Sequence, residues 1–186
     1  FAQGGELSQA LYLRLGILFA GSPLRNLLLE GDQALFDTLM HAEWGGRDLI
    51  VGATVLDAFA GTGALGLEAL SRGAAHATFM ENSRPAQGAI RANIETCREG
   101  PRTNLLPSDA TRPPRAPAPC SLVFLDPPYG AGLLPRALAA LADQGWFAPG
   151  AILCLEMQAD ETLDLPHEVL ADRKHGAARL LVLRAA

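Results

Sequence analysis

Two short stretches hold the residues whose types and spacing can do chemistry. In "VLDAFAGTGALG" (Val55–Gly66) a carboxylate, Asp57, is followed by glycines at positions 61, 63 and 66. In "VFLDPPYG" (Val123–Gly130) a second carboxylate, Asp126, is followed by Pro127, Pro128 and Tyr129. Glycines after a strand let the chain turn tightly and bring its backbone against a ligand. A helix starting behind them points its first amides into the same space. Such a loop suits an adenosine-bearing cofactor. Glu81 follows about 20 residues on, the separation at which an acidic side chain receives ribose hydroxyls.

Both NAD and S-adenosylmethionine carry that adenosine, and Asp57 separates them. It lies at the carboxyl end of an apolar strand, four residues before Gly61, and is expected to face the ligand. A dinucleotide brings a doubly charged pyrophosphate. At about 5–6 Å and an effective dielectric of about 20, each like-charge pair costs roughly 3 kcal/mol before screening. S-adenosylmethionine has no phosphate; its sulfonium and ammonium are attracted by the same carboxylate. The pattern D-x-x-x-G-x-G after a strand is a methyltransferase signature, although an aspartate there can also simply cap the loop.

The second stretch supplies what methylation of an exocyclic amino group on a base requires. That nitrogen is a poor nucleophile because its lone pair is delocalised into the ring. The prolines stiffen the backbone and remove two amide donors while leaving their carbonyls as acceptors. The Asp126 carboxylate and the Pro127 carbonyl can then hold the two amino hydrogens out of plane, aiming the lone pair at the methyl group. Tyr129 offers a flat face for a base that must be flipped out or unpaired to enter. A weaker position is Asp109 with Ala110, where an acid would approach the adenine. Glu156 is expected to end a further strand at the same edge; structural and substrate-facing readings of it both stay open.

The elements that must position these residues follow from periodicity. "ATVLDAF", "HATFME", "TNLLPS", "CSLVFLD" and "AILCLEM" read as strands, several apolar throughout, as in a parallel sheet covered on both faces. Helices fall between them. One is capped by Ser83 and carries Ala86, Ala89, Ile90, Asn93, Ile94 and Cys97 on one face; another carries Leu134, Ala137, Leu138 and Leu141, with Pro135 in its first turn. The expected fold is α/β, a Rossmann-like doubly wound seven-stranded sheet, mostly parallel with an antiparallel C-terminal strand. "DQALFDTLMHAEW" reads as an amphipathic helix capped by Asp32, with Leu35, Phe36, Leu39 and Met40 on one face. "TRPPRAPAPC" (Thr111–Cys120) must be a loop, and the tail reads as a hairpin turning at Gly176. Residues 1–50 are expected to form an N-terminal extension and residues 51–186 the methyltransferase domain.

Composition narrows the classes. The 186 residues are 49% hydrophobic, ample for one packed domain, and no apolar run is long enough to cross a bilayer. A formal charge of −5 argues against a broad nucleic-acid surface. Lys174 is the only lysine among 15 basic residues. Arg98, Arg102, Arg112 and Arg115 can form a small basic rim beside the cofactor edge, or stand as ordinary solvated arginines. Cys97, Cys120 and Cys154 share no metal-type spacing and read as buried reduced thiols. Without a secretory pattern at the start, the expectation is a cytoplasmic monomer with no bound metal.

"LDAFAGTGALGLEALSRGA" (Leu56–Ala74), "FLDPPY" (Phe124–Tyr129) and "GWFAPGAILCLE" (Gly145–Glu156) together resemble the RsmD-type methyltransferases. Members of that family methylate N2 of guanine 966 in bacterial 16S ribosomal RNA with S-adenosylmethionine. The resemblance covers roughly residues 31–184. It implies 16S ribosomal RNA, the 30S subunit or an assembly intermediate as partner. It also implies Asp57, Gly61 and Gly63 on the methionine side of the cofactor, with Phe59 also in the cofactor set, Glu81 at the ribose and Asp109 with Ala110 at the adenine. Asp126 through Tyr129 would form the catalytic pocket, Asp126 also touching the cofactor. The departure is at the start, where "NLLLEGDQ" (Asn26–Gln33) replaces the family's polar and basic positions, and residues 1–50 carry three arginines against six acids. Two alternatives stand beside this reading: DNA adenine-N6 methylation, which shares the D-P-P-Y chemistry, and a cofactor-binding module that docks on ribosomal particles without turnover. NAD-dependent oxidoreduction is disfavoured by Asp57.

Overall fold

Each central strand is apolar along its length because both of its faces are covered. Side chains alternate across a strand, and the computed structural model, which describes residues 30–128, 132–163 and 167–186, divides them accordingly. Val55, Phe79, Leu122, Phe124, Ile152 and Cys154 face one core. Their neighbours Leu56, Met80, Val123, Leu125, Leu153 and Leu155 face the other.

The strands are β1 (Thr54–Ala58), β2 (His76–Met80), β3 (Thr103–Leu106), β4 (Cys120–Leu125), β5 (Phe147–Gln158), β6 (Glu168–His175) and β7 (Ala178–Arg184). They form one sheet in the order β3-β2-β1-β4-β5-β7-β6. Pairings from β3 through β5 are parallel, and β7 runs antiparallel to both of its neighbours. The expected doubly wound sheet and closing hairpin are what is observed, with Gly176 at φ +60° in the turn. The "AILCLEM" strand extends at both ends, so Glu156 lies within β5 opposite Leu180 instead of ending it.

The helices are α1 (Glu30–Met40), α2 (Ala64–Ser71), α3 (Arg84–Cys97) and α4 (Leu133–Asp143). The first three contribute Phe36, Leu67 and Ile90 to the first core. Helix α4 covers the other face with Leu134, Ala137, Leu138 and Leu141, the four residues its periodicity selects. The proline-rich loop crosses this second face and is fastened by the Trp146 indole N–H, which donates to the Pro114 carbonyl at 2.9 Å.

Two helix boundaries differ from expectation. Helix α1 spans Glu30–Met40, so Asp32 lies inside it, and it ends at Met40 instead of running to Trp44. Leu35, Phe36 and Leu39 pack it into the core. Phe36 meets Phe124 edge-on, ring centroids 5.7 Å apart, so α1 shares its core with the sheet. Ser83 precedes α3, but its side chain makes no capping bond. Its amide instead donates to Glu81 at 2.8 Å.

Cys120 and Cys154 are buried and unbridged, while Cys97 is only half-buried because it sits on the last turn of α3. Among the described residues no helix is long and apolar enough to cross a membrane.

Candidate active site

Chain order runs outward from β1 to β2 and β3, then returns so that β4 lies on the other side of β1. Open α/β sheets bind ligands at that reversal, outside the carboxyl ends of the strands. Residues about seventy positions apart therefore become neighbours. Asp57 pairs with Phe124 and Ala58 with Leu125, so Asp126 leaves β4 beside the point where Phe59 leaves β1.

The loop after β1 is built by a set of specific bonds. The amides of Phe59 and Ala60 both donate to the Met80 carbonyl at 3.1 Å. Phe59 adopts φ +66°, a left-handed conformation that costs a bulky side chain free energy and clusters at ligand sites. Gly61 follows at φ +56° and Gly63 at φ +79°. A Cβ on Gly61 would have nothing nearer than the Phe59 carbonyl at 4.0 Å, so this glycine leaves open space before the loop. Gly66 serves a different purpose. A Cβ there would meet the Phe79 ring within 2.4 Å, so it sets the close approach of α2 to β2.

Both acidic residues assigned to this loop hold its amides. Asp57 is only 2% exposed. Its Oδ2 accepts the Gly66 N–H at 2.9 Å in the first turn of α2, where helix amides favour negative charge. Glu81 is also buried; its Oε2 accepts the Gly61 N–H and its Oε1 the Ser83 N–H, each at 2.8 Å. Glu81 thus ties the glycine loop to the start of α3. A carboxylate has about four lone-pair sites, so this role leaves acceptor capacity for a hydroxyl pair.

Two further residues complete the loop, and neither was singled out as a site residue from sequence. Asn93 Nδ2 donates to the Thr62 carbonyl at 3.0 Å and Gln87 Nε2 donates to the Glu81 carbonyl at 2.9 Å, both buried. Their signal was present: two amide side chains, three residues either side of Ile90, on the apolar face of α3.

Asp109 follows β3 at the same edge. Its Oδ1 accepts both the amide and the hydroxyl of Thr111 at 2.8 Å, and Arg112 pairs with Oδ2 at 3.2 Å. Partial burial pushes this carboxyl up, but the Thr111 bonds and the Arg112 charge outweigh it and hold it below its usual range. Ala110 is buried in the second core. Asp126 is half-buried, Pro127 buried and Pro128 exposed. Tyr129 lies outside the described residues.

The four arginines do not form one rim. Arg98 and Arg102 lie after α3, at the amino edge of the sheet, because α3 runs back from the cofactor edge. Arg102 is occupied there by Glu99 and the Ala74 carbonyl. Arg115 adjoins Ala116, whose amide donates to the Gln144 carbonyl, also at the amino edge. Only Arg112 sits beside Asp109 at the cofactor edge. Among the described residues no group of His, Cys, Asp and Glu has the makings of a metal site.

A seven-stranded sheet in this order, with a glycine loop after β1 and an acid ending β4, defines the class I methyltransferase fold. The family model described as "Conserved hypothetical protein 95" matches residues 30–184, and the chain belongs to that family, the RsmD-type methyltransferases. Ribosomal RNA small subunit methyltransferase D of Escherichia coli is 38% identical over 115 residues, covering 62% of this chain and 58% of that protein. The Haemophilus influenzae protein of the same name is 33% identical, covering 60% of each. This chain therefore matches somewhat under two thirds of the length of these relatives. Among solved structures, the Escherichia coli protein yhhF superposes with TM-score 0.70 at 32% identity over 82% of each chain. SMU.776, solved in complex with SAH, shares the fold at TM-score 0.62 and 14% identity, over 85% of this chain and 50% of that one.

Proposed function

We propose that this chain transfers a methyl group from S-adenosylmethionine to an exocyclic amino nitrogen of a base in small-subunit ribosomal RNA, N2 of a guanine. The observation that carries the reading is that the loops leaving β1 after Asp57 and β4 at Asp126 emerge side by side, at the point where strand order reverses. The names of the relatives support ribosomal RNA as the substrate.

The residues present fit the cofactor. The open space before Gly61 admits a ligand against the backbone, and two buried carboxylates, Asp57 and Glu81, flank the loop. Negative charge here favours a cationic ligand and opposes a pyrophosphate. Bound S-adenosylmethionine would supply an electrophilic methyl on its sulfonium and leave as the neutral thioether, and the methylated nitrogen would give up one of its two protons. The chain holds the other reactant. Asp126 and the Pro127 carbonyl accept the two amino hydrogens, and the ring-locked backbone of Pro127 and Pro128 keeps that acceptor fixed. Asp126 is half-buried, open enough for a base to reach and dry enough for its hydrogen bonds to discriminate.

The finer assignments belong to the same proposal: Asp57, Phe59, Gly61, Gly63 and Glu81 toward the methionine and ribose, and Asp109 with Ala110 toward the adenine. The proposed setting is a cytoplasmic monomer acting on the small subunit or its precursor. The test is transfer of label from S-adenosylmethionine to small subunits lacking the modification, beside naked RNA and DNA. Label in N2-methylguanine, lost in Asp126→Ala, is the expected result. Label in DNA adenine, or cofactor binding without transfer to any substrate, would overturn it.

A further inference from the structure

Helix α3 touches the glycine loop through one buried amide side chain, Asn93, and the backbone of Glu81 through a second, Gln87. Asn93 and Gln87 are each 7% exposed, on a face otherwise made of Ala86 and Ile90. A buried polar side chain on an apolar face costs free energy unless it is hydrogen-bonded, and each of these makes one specific bond. Asn93 donates to Thr62, the residue between the two left-handed glycines of the loop. Gln87 donates to the carbonyl of Glu81, whose carboxylate takes the Gly61 amide.

We propose that Asn93, supported by Gln87, is a positioning residue for the cofactor loop. The inference rests on the function proposed above and adds a residue to it. Gly61 and Gly63 have no side chains to fix their conformation, and flexible residues lose the most entropy on ordering. The Thr62 carbonyl belongs to the peptide that joins Thr62 to Gly63, so holding it fixes that plane between the two glycines. Asn93 holds that carbonyl from a helix of 14 residues, a rigid support. Gln87 acts one step removed, fixing the peptide of Glu81 and so the carboxylate that takes Gly61. The loop is thereby ordered before the ligand arrives, and ordering cost is kept out of binding.

Asn93→Leu removes the donor while keeping a side chain branched at Cγ, though a bulkier one, and Gln87→Met removes it at the second position with a closer match in length and volume. Ala92→Gly, at an exposed interior position of the same helix, serves as a control that weakens the helix by about 1 kcal/mol. The expected result is a weaker S-adenosylmethionine dissociation constant by about tenfold in Asn93→Leu, the equivalent of one net hydrogen bond. A smaller loss is expected in Gln87→Met and none in the control. In turnover, KM for S-adenosylmethionine rises while kcat at saturation and KM for RNA stay within about twofold. In the ligand-free protein, hydrogen exchange at the Gly61 and Gly63 amides accelerates in Asn93→Leu but not in the control. If Asn93→Leu fails to fold, Gln87→Met carries the same readouts. Parent-like affinity and exchange in the folded variants would overturn the positioning role alone, since the parent still binds. Failure of the parent itself to bind S-adenosylmethionine would overturn the function and this inference together.

Discussion

In the function proposed, Asp57 and Glu81 each combine two demands on one carboxylate, holding backbone amides and facing the cofactor, and substitution separates them. Asp57→Asn keeps an oxygen able to take the Gly66 amide at the 2.9 Å now seen, but removes the charge. S-adenosylmethionine affinity is expected to fall at least about tenfold. Glu81→Gln behaves differently. Its two oxygens now serve the Gly61 and Ser83 amides, and a carboxamide has only one oxygen to offer. One amide must face an N–H, so this variant should lose about 1–3 kcal/mol of stability besides affinity. A Glu81→Gln variant as stable as the parent in a denaturant titration would contradict this role for its two oxygens. The carboxylates themselves were legible in the sequence because their offsets from the glycines are fixed by strand length. Their backbone partners were not, since a hydrogen bond to an amide leaves no mark on residue type. Asn93 and Gln87 were legible only as misfits in an apolar stripe.

Elements were read from periodicity, and they were right where burial dictates sequence. Strands β1, β2 and β4 are covered on both faces, so nearly every residue is apolar and the pattern is unambiguous. Helix α4 showed all four of its buried positions. Errors fell at ends: α1 already includes Asp32, and β5 continues past Glu156 to Gln158. The arginine rim failed for a related reason. Proximity in sequence says nothing about which edge of a sheet a residue reaches, and α3 carries Arg98 to the far one. Helix α1 supplies the element-scale test. Phe36 is fully buried against Phe124, and the Arg72 guanidinium lies 4.7 Å from its ring centroid. Phe36→Ala should cost about 3–5 kcal/mol in urea titration, the range for emptying a packed aromatic site. A loss under 1 kcal/mol would mean that α1 is not part of the sheet's core.

At the scale of the molecule, stability should fall at both ends of the pH range, for separate reasons. The folded-state carboxyls of Asp109 and Asp172 lie below their usual 3.8. Asp109 is held down against burial by Thr111 and Arg112, and Asp172 by its bonds to Arg179. A depressed carboxyl contributes stability above its unfolded value and loses it as pH falls through the folded one, so this part of the acid loss begins below about pH 4. Both carboxyls are largely solvated and the effect is small. The thiols act in the opposite sense. Burial pushes Cys120 up to about 12 and Cys154 higher still, from an ordinary 9.0. A raised thiol contributes stability below its unfolded value and loses it as pH climbs toward the folded one, so stability declines above about pH 9. In the native protein at pH 8, a thiol reagent should modify half-buried Cys97 first, and all three cysteines should react together only in urea. Simultaneous labelling without denaturant would contradict the packing described.

The central claim is that the loop after β1 is built for a cationic, phosphate-free cofactor, and competitive binding tests it most directly. Calorimetric titration of the purified chain with S-adenosylmethionine and, separately, with NAD should show saturable binding of the first and none of the second at the same concentrations. Asp57→Asn should narrow that difference by weakening the first. Binding of NAD as tightly as S-adenosylmethionine, or an Asp57→Asn variant that holds the sulfonium as well as the parent, would contradict the account.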